Sequence, residues 1–83
     1  MLSEFESYDI MYNIINKSNM KDKIDILDVI AIQYFYSAIR GYKQFKNNIF
    51  LNYKKKYIKN ILKSKKLQLK QKVKVILLNI KYK

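Results

Sequence analysis

The sequence predicts an all-α chain of three to four amphipathic helices, forming a small open helical bundle or a helical tail. The 83 residues include one Gly and no Pro, which argues against a turn-rich all-β chain. Apolar residues make up 49% of the chain, which argues against wholesale disorder. Apolar side chains also recur at helical spacing in four segments, at about residues 3–16, 24–40, 49–63 and 69–81.

We expect residues 1–83 to form a single helical segment that is part of a larger protein. A chain this short buries only about 60% of its unfolded surface, so its own core is small. The chain has neither Cys nor His, so it has no disulfide and no Cys/His zinc site to compensate.

The first helix is expected to begin with a capping box, in which Ser3 and Glu6 accept hydrogen bonds from each other's backbone amides. Its apolar face contains Phe5, Tyr8, Met11, Tyr12 and Ile15. The pattern ends in a polar cluster, Asn16-Lys17-Ser18-Asn19, which is typical of a loop.

The second helix is expected to begin with Asp22 or Asp25 as its cap and to end at Arg40, because Gly41 can adopt the left-handed conformation of a C-cap. Apolar residues cover nearly its whole circumference. A helix of this kind is usually buried on several sides, so we expect residues 24–40 to contact something beyond this chain.

The third helix is expected to follow a cap at Asn48 and to run from about Ile49 to Lys63. Its apolar stripe consists of Phe50, Tyr53, Tyr57, Ile58, Ile61 and Leu62. The last segment, from Leu67 onward, is ambiguous. Alternate apolar positions fit a strand, whereas Leu69, Val73, Ile76, Leu77 and Ile80 fit one face of a helix. We predict a helix because no partner strand is visible elsewhere.

The sequence offers no set of groups for catalysis. Without His it lacks the usual general base near neutral pH, and without Cys it lacks thiol chemistry. Gly41 alone cannot form a phosphate-cradling loop. We therefore assign no catalytic, cofactor-binding or metal-binding residue, and expect no cofactor.

Asp22, Asp25 and Asp28 have a spacing that puts neighbouring carboxylates on one helix face, where two of them could hold a cation such as Mg²⁺. Acids at a helix start also complement the helix dipole and cap its amides. We favour this second explanation.

Charge divides the chain into two halves. Up to Asp28 the net charge is −3, and from Val29 onward it is +15. A basic half of this kind attracts polyanions such as nucleic acid or an anionic membrane surface. The lysines also have a simpler explanation, since Ile, Lys, Asn and Tyr together make up 46 of the 83 residues and an A/T-rich genome enriches all four.

The candidate site is an anionic-surface-binding set in the basic half, composed of Lys54, Lys55, Lys56, Lys59, Lys63, Lys65 and Lys66. Three interpretations fit it. The lysines track phosphates while tyrosines stack on bases; the lysines bind anionic lipid while the apolar stripe faces the acyl chains; or the lysines are only the solvated face of a helix whose stripe lies in the core.

No segment is apolar enough over about 18 residues to be a membrane span. The acidic N-terminus does not resemble a secretory signal. We therefore expect a cytoplasmic location, with possible attachment to the inner face of the membrane.

From residue 24 onward an apolar helix is followed by Tyr42-Lys43-Gln44-Phe45, a Lys/Tyr-rich helix and the stretch ILKSKKLQLKQKVKVILLNI. This order resembles the C-terminal helical tail of bacterial family-2 glycosyltransferases, the GT-A type enzymes that build surface polysaccharides from nucleotide sugars. The resemblance covers about two thirds of the chain. It implies that the catalytic sheet and its metal-binding Asp-x-Asp precede this tail, so no catalytic residue is carried over, and that Met1 is an internal start.

The expected function is therefore that of a non-catalytic segment of such a glycosyltransferase. It would dock on a catalytic domain or other protein through helix 24–40, or rest on an anionic membrane surface. The alternative is a small basic nucleic-acid-binding module, which the single Arg disfavours. A third hypothesis is that the apolar helix pairs with a second copy.

Overall fold

A computed structural model describes residues 2–82 of the chain, with side chains from residue 4 onward. It contains five helices: α1 (Leu2–Asn16), α2 (Lys23–Phe45), α3 (Ile49–Lys55), α4 (Ile58–Lys63) and α5 (Leu69–Lys81). Residues 2–82 include no strand, so the all-α prediction is confirmed and the ambiguous last segment is a helix. The helices form a flat body with Cα extents of 39 × 29 × 14 Å.

Helix α1 places its predicted apolar face against the rest of the chain. Phe5 is buried, and Tyr8, Tyr12 and Ile15 are half-buried. Met11 is exposed, so its assignment to this face is wrong. The helix begins at Leu2, before Ser3, and the predicted capping box lies outside the described side chains.

Helix α2 is longer than predicted, because it continues through Gly41 to Phe45. A Cβ atom on Gly41 would lie 2.5 Å from the ring of Phe50, so this glycine allows α3 to approach α2 closely and does not end the helix. The helix ends where Lys46 adopts the left-handed conformation, at φ 56°, and donates its N–H to the carbonyl of Tyr42 at 2.8 Å. At the other end, Asp22 occupies the N-cap position but its side chain makes no capping hydrogen bond.

The predicted third helix is divided into α3 and α4 by a turn at Lys56 and Tyr57. The turn lets both short helices pack on α2. Asn47, and not the predicted Asn48, supplies the cap: its Oδ1 accepts the N–H of Ile49 at 3.0 Å.

The core is a cluster of aromatic rings between α1, α2 and α3. The ring of Phe5 stacks on Tyr53 at 4.5 Å and meets the edge of Tyr34 at 5.1 Å, and Tyr34 lies 4.8 Å from Tyr57. Such pairs stabilise a core beyond the area they bury. The other helices cover most of α2. Its exposed large apolar side chains are Ile24, Val29 and the terminal Phe45.

Candidate anionic-surface site

Lys54, the first residue of the predicted lysine set, lies inside the protein. It is 1% exposed, and its Nζ donates to Asn79 Oδ1 of α5 at 2.5 Å and to the Asn79 carbonyl at 3.4 Å. The prediction that Lys54 belongs to a binding surface is therefore wrong. Its hydrogen bonds to Asn79 link α3 to α5.

Two other lysines of the set form ion pairs within the chain. Lys56 Nζ lies 2.9 Å from Asp9 Oδ2, and Lys66 Nζ lies 3.2 Å from Asp25 Oδ1. Both lysine side chains remain about half exposed. Each pair connects the acidic part of the chain to the basic part, so part of the positive charge is neutralised internally.

The remaining four lysines, Lys55, Lys59, Lys63 and Lys65, are exposed. Lys59 and Lys63 line one open groove, and Asp28 lines the same groove. The set is therefore not one uniform basic surface. The structure brings Lys59 and Lys63 together and places Lys54, Lys56 and Lys66 in internal contacts.

The tyrosines of α3 and the following turn belong to the core and are not available to stack on bases. Tyr57 is buried, and its hydroxyl donates to Asp9 Oδ1 at 2.6 Å. Burial, followed by this hydrogen bond, raises the pKa of Tyr57 above its ordinary value. Burial also raises the pKa of Tyr34, whose hydroxyl has no hydrogen-bond partner among residues 2–82.

Helix α5 carries the surface that sequence analysis did not identify. Five of its apolar side chains, with exposures between 41% and 77%, form what we call the α5 stripe: Leu69, Val73, Ile76, Leu77 and Ile80. Successive helical residues are about 100° apart, so these five lie within an arc of about 100° along the whole helix. Val75, on the opposite side, is fully buried.

Lysines border the α5 stripe. Lys70, Lys74 and Lys81 lie along one side of it by helical position, and Lys72 lies on the other. Every charged residue of α5 is a lysine. The helix therefore has an inner apolar face, an outer apolar face and basic residues between them.

The strand-like alternation of apolar residues in α5 reflects two apolar faces on one helix. When a helix is apolar on opposite sides, residues two apart can both be apolar, which imitates a strand. The sequence identified the members of the stripe as one helix face. It could not show that this face points to solvent, because Val75, Leu78 and Tyr82 offered a second face that packs on the core.

Two of the three aspartates at the start of α2, Asp25 and Asp28, contact the segment between α4 and α5. Asp28 Oδ2 accepts the hydroxyl of Ser64 at 2.6 Å, and Asp25 pairs with Lys66. Within residues 2–82, no group of three or more acidic, His or Cys side chains is arranged to hold a metal ion. In the same part of the chain, no helix combines the length and apolar character needed to cross a membrane.

Comparison of the chain with protein-family models, curated proteins and solved structures finds no match. The resemblance to family-2 glycosyltransferases therefore stays a prediction.

Proposed function

We propose that the chain is a non-catalytic module that attaches to an anionic membrane surface through the α5 stripe and its bordering lysines. The observation that carries the proposal is a continuous row of five exposed apolar side chains on a helix whose charged residues are all cationic. A surface helix with an apolar face and basic borders is the form of an interfacial membrane anchor.

The chemistry of the stripe favours lipid over the other two ligands considered. On nucleic acid the lysines would bind phosphates, but Leu69, Leu77 and Ile80 would stay in water. The tyrosines predicted to stack on bases, Tyr53 and Tyr57, pack in the core. Against the same stripe of a second copy, lysines would face lysines. An anionic bilayer suits both the apolar stripe and the lysines, because the acyl chains bury the stripe and the headgroups neutralise the lysines.

Helix α2 offers less surface for the docking that its composition predicted. Its own neighbours cover its main apolar face, whereas the α5 stripe has no covering element among residues 2–82. The resemblance to a glycosyltransferase tail is compatible with the proposal, since the resemblance implies a tail that packs on the catalytic domain or rests on the inner membrane leaflet.

The test is cosedimentation with vesicles of phosphatidylcholine alone and of phosphatidylcholine mixed with phosphatidylglycerol. We expect binding only to the anionic vesicles. The double variant L77S/I80S should bind at least about tenfold more weakly, because each lost apolar side chain removes about 1 kcal/mol or more of insertion free energy. The matched control is I24S/V29S, which removes two equally exposed apolar side chains from α2 and should bind as the wild type does.

The lysines are tested in the same assay. K70Q/K74Q should weaken binding about tenfold or more, since a lysine near an anionic surface contributes about 1 kcal/mol. K55Q/K59Q, which removes two exposed lysines of α3 and α4, should have a smaller effect. Equal losses in both double variants, or binding to duplex DNA with no binding to anionic vesicles, would contradict the proposal.

A further inference from the structure

A second row of exposed residues runs along α1, on the side away from the core. We call it the α1 outer face and define it as Glu6, Ile10, Asn13, Ile14 and Lys17. Ile10 is 59% exposed and Ile14 is 62% exposed. Lys17 follows the helix by one residue, and its N–H still donates to the Asn13 carbonyl at 3.2 Å, so the row is continuous. An exposed apolar patch rimmed by polar residues is the usual form of an interaction surface.

The charges of the α1 outer face have a particular order. Glu6 lies at one end and Lys17 at the other, about 16 Å apart, with the two isoleucines between them. Within residues 2–82 neither end charge has an ion-pair partner. The face is therefore complementary to itself when it is turned end to end.

We propose that the α1 outer face binds the same face of a second copy in antiparallel orientation, forming a closed two-fold dimer. Two-fold contacts use one patch on both partners, so residue order decides whether the patch fits itself. In the antiparallel pair, Glu6 of each copy meets Lys17 of the other, and Ile10 meets Ile14 at the centre. The dimer goes beyond the proposed membrane attachment, because it uses a different helix and needs no lipid.

The distribution of charge over the chain supports this occupant. The first 28 residues carry a net charge of −3, so contact through α1 keeps the two strongly basic halves apart. A membrane would suit this face poorly, because Glu6 would face anionic headgroups. The α5 stripe of another copy would pair its lysines with Glu6 and would repel Lys17.

Sedimentation equilibrium without vesicles tests the dimer, at about 0.15 M salt where long-range repulsion is screened. We expect the wild type to dimerise with a dissociation constant of roughly micromolar size, because one helix face is a small interface. E6K and K17E should each raise that constant about tenfold, since each places like charges at both ends of the face. The double variant E6K/K17E should restore the wild-type value.

The two single variants separate this arrangement from docking of the α5 stripe on α1. Because the charged residues of α5 are all lysines, docking of that stripe would be weakened by E6K and strengthened by K17E. Opposite effects of the two single variants would overturn the proposal, as would a wild type that stays monomeric up to about 1 mM. I10S/I14S should also abolish the dimer, and I24S, at an equally exposed isoleucine, should not. These positions are exposed, and circular dichroism verifies that each variant is folded.

The variant L77S/I80S separates the dimer from membrane attachment. Loss of vesicle binding with an unchanged dimer would show that the two surfaces act separately. Loss of the dimer in that variant would contradict the assignment to α1.

Discussion

Two regions of this protein have the same pattern in sequence and opposite roles in the structure. Residues 49–63, which form α3 and α4, and residues 69–81, which form α5, both combine an apolar stripe with interspersed lysines. In the first region most of the stripe is part of the core, with Phe50, Tyr57 and Ile61 buried, and Leu62, which was predicted to belong to it, is exposed. In the second region the stripe faces solvent, and the smaller apolar face on the other side of α5 packs on the rest of the protein.

The difference arises from what each region presents to α2. The first region supplies large rings, and its turn at Lys56 and Tyr57 lets two short helices follow the surface of α2. Helix α5 docks through Val75 and Leu78, through Tyr82 directly after it, and through the hydrogen bond between Asn79 and Lys54, which leaves its larger apolar face uncovered. An amphipathic pattern therefore identifies the apolar face of a helix, but it does not show whether the chain itself or an external partner covers that face.

The difference between the two regions is tested most directly by truncating one isoleucine in each of them. Ile61 of α4 is 0% exposed and Ile80 of α5 is 63% exposed. I61A should lower the free energy of unfolding by about 2–5 kcal/mol, because it leaves a cavity in the core. I80A should change it by less than about 0.5 kcal/mol.

Urea denaturation followed by circular dichroism measures both values. Equal losses in I61A and I80A would mean that the α5 stripe is covered within the chain, and both the comparison and the membrane proposal would fail.

The helical class and most helix positions follow from the sequence, because 3.6-residue periodicity and the absence of proline are local properties. The inner face of α1 was predicted apart from Met11. The true end of α2 was not predictable, since Gly41 is free to cap a helix as an isolated sequence but is needed here to admit the ring of Phe50. That contact joins residues in different helices, and no local pattern records it.

The candidate site was predicted less completely, for the same reason. Which side of α5 faces solvent depends on which of its two apolar faces packs on the rest of the chain, and that is a tertiary property. Lys54 was assigned to the surface because lysines are almost never buried, and only its tertiary contact with Asn79 reverses that expectation. The exposed positions of Lys59 and Lys63 were predicted, because they lie opposite the aromatic stripe.

The lysines of the two regions give a second comparison with a smaller expected effect. K54A should lower the free energy of unfolding by about 1–3 kcal/mol, because it removes a buried hydrogen bond and leaves the Asn79 side chain without its donor. K70A, at an exposed lysine in the first turn of α5, should be neutral or slightly stabilising, since a cation there opposes the helix dipole. Thermal unfolding at neutral pH measures both, and similar results for the two variants would show that Lys54 is not a link between α3 and α5.

The smallest expected effect concerns the tyrosines of the core at alkaline pH. Burial raises the pKa of Tyr34 and of Tyr57 in the folded chain, whereas in the unfolded chain each titrates near its ordinary value of about 10. Below that value both states hold the proton and stability does not depend on it. Above it the unfolded chain releases the proton first, so the free energy of unfolding falls as pH rises, by about 1 kcal/mol or less for each tyrosine up to pH 10.5. Urea denaturation from pH 8 to pH 10.5 should therefore show a flatter decline for Y34F/Y57F than for the wild type, because the two chains share every other titratable group. A double variant that loses stability as steeply as the wild type would show that ionisation of these two core tyrosines does not cause the loss of stability at alkaline pH.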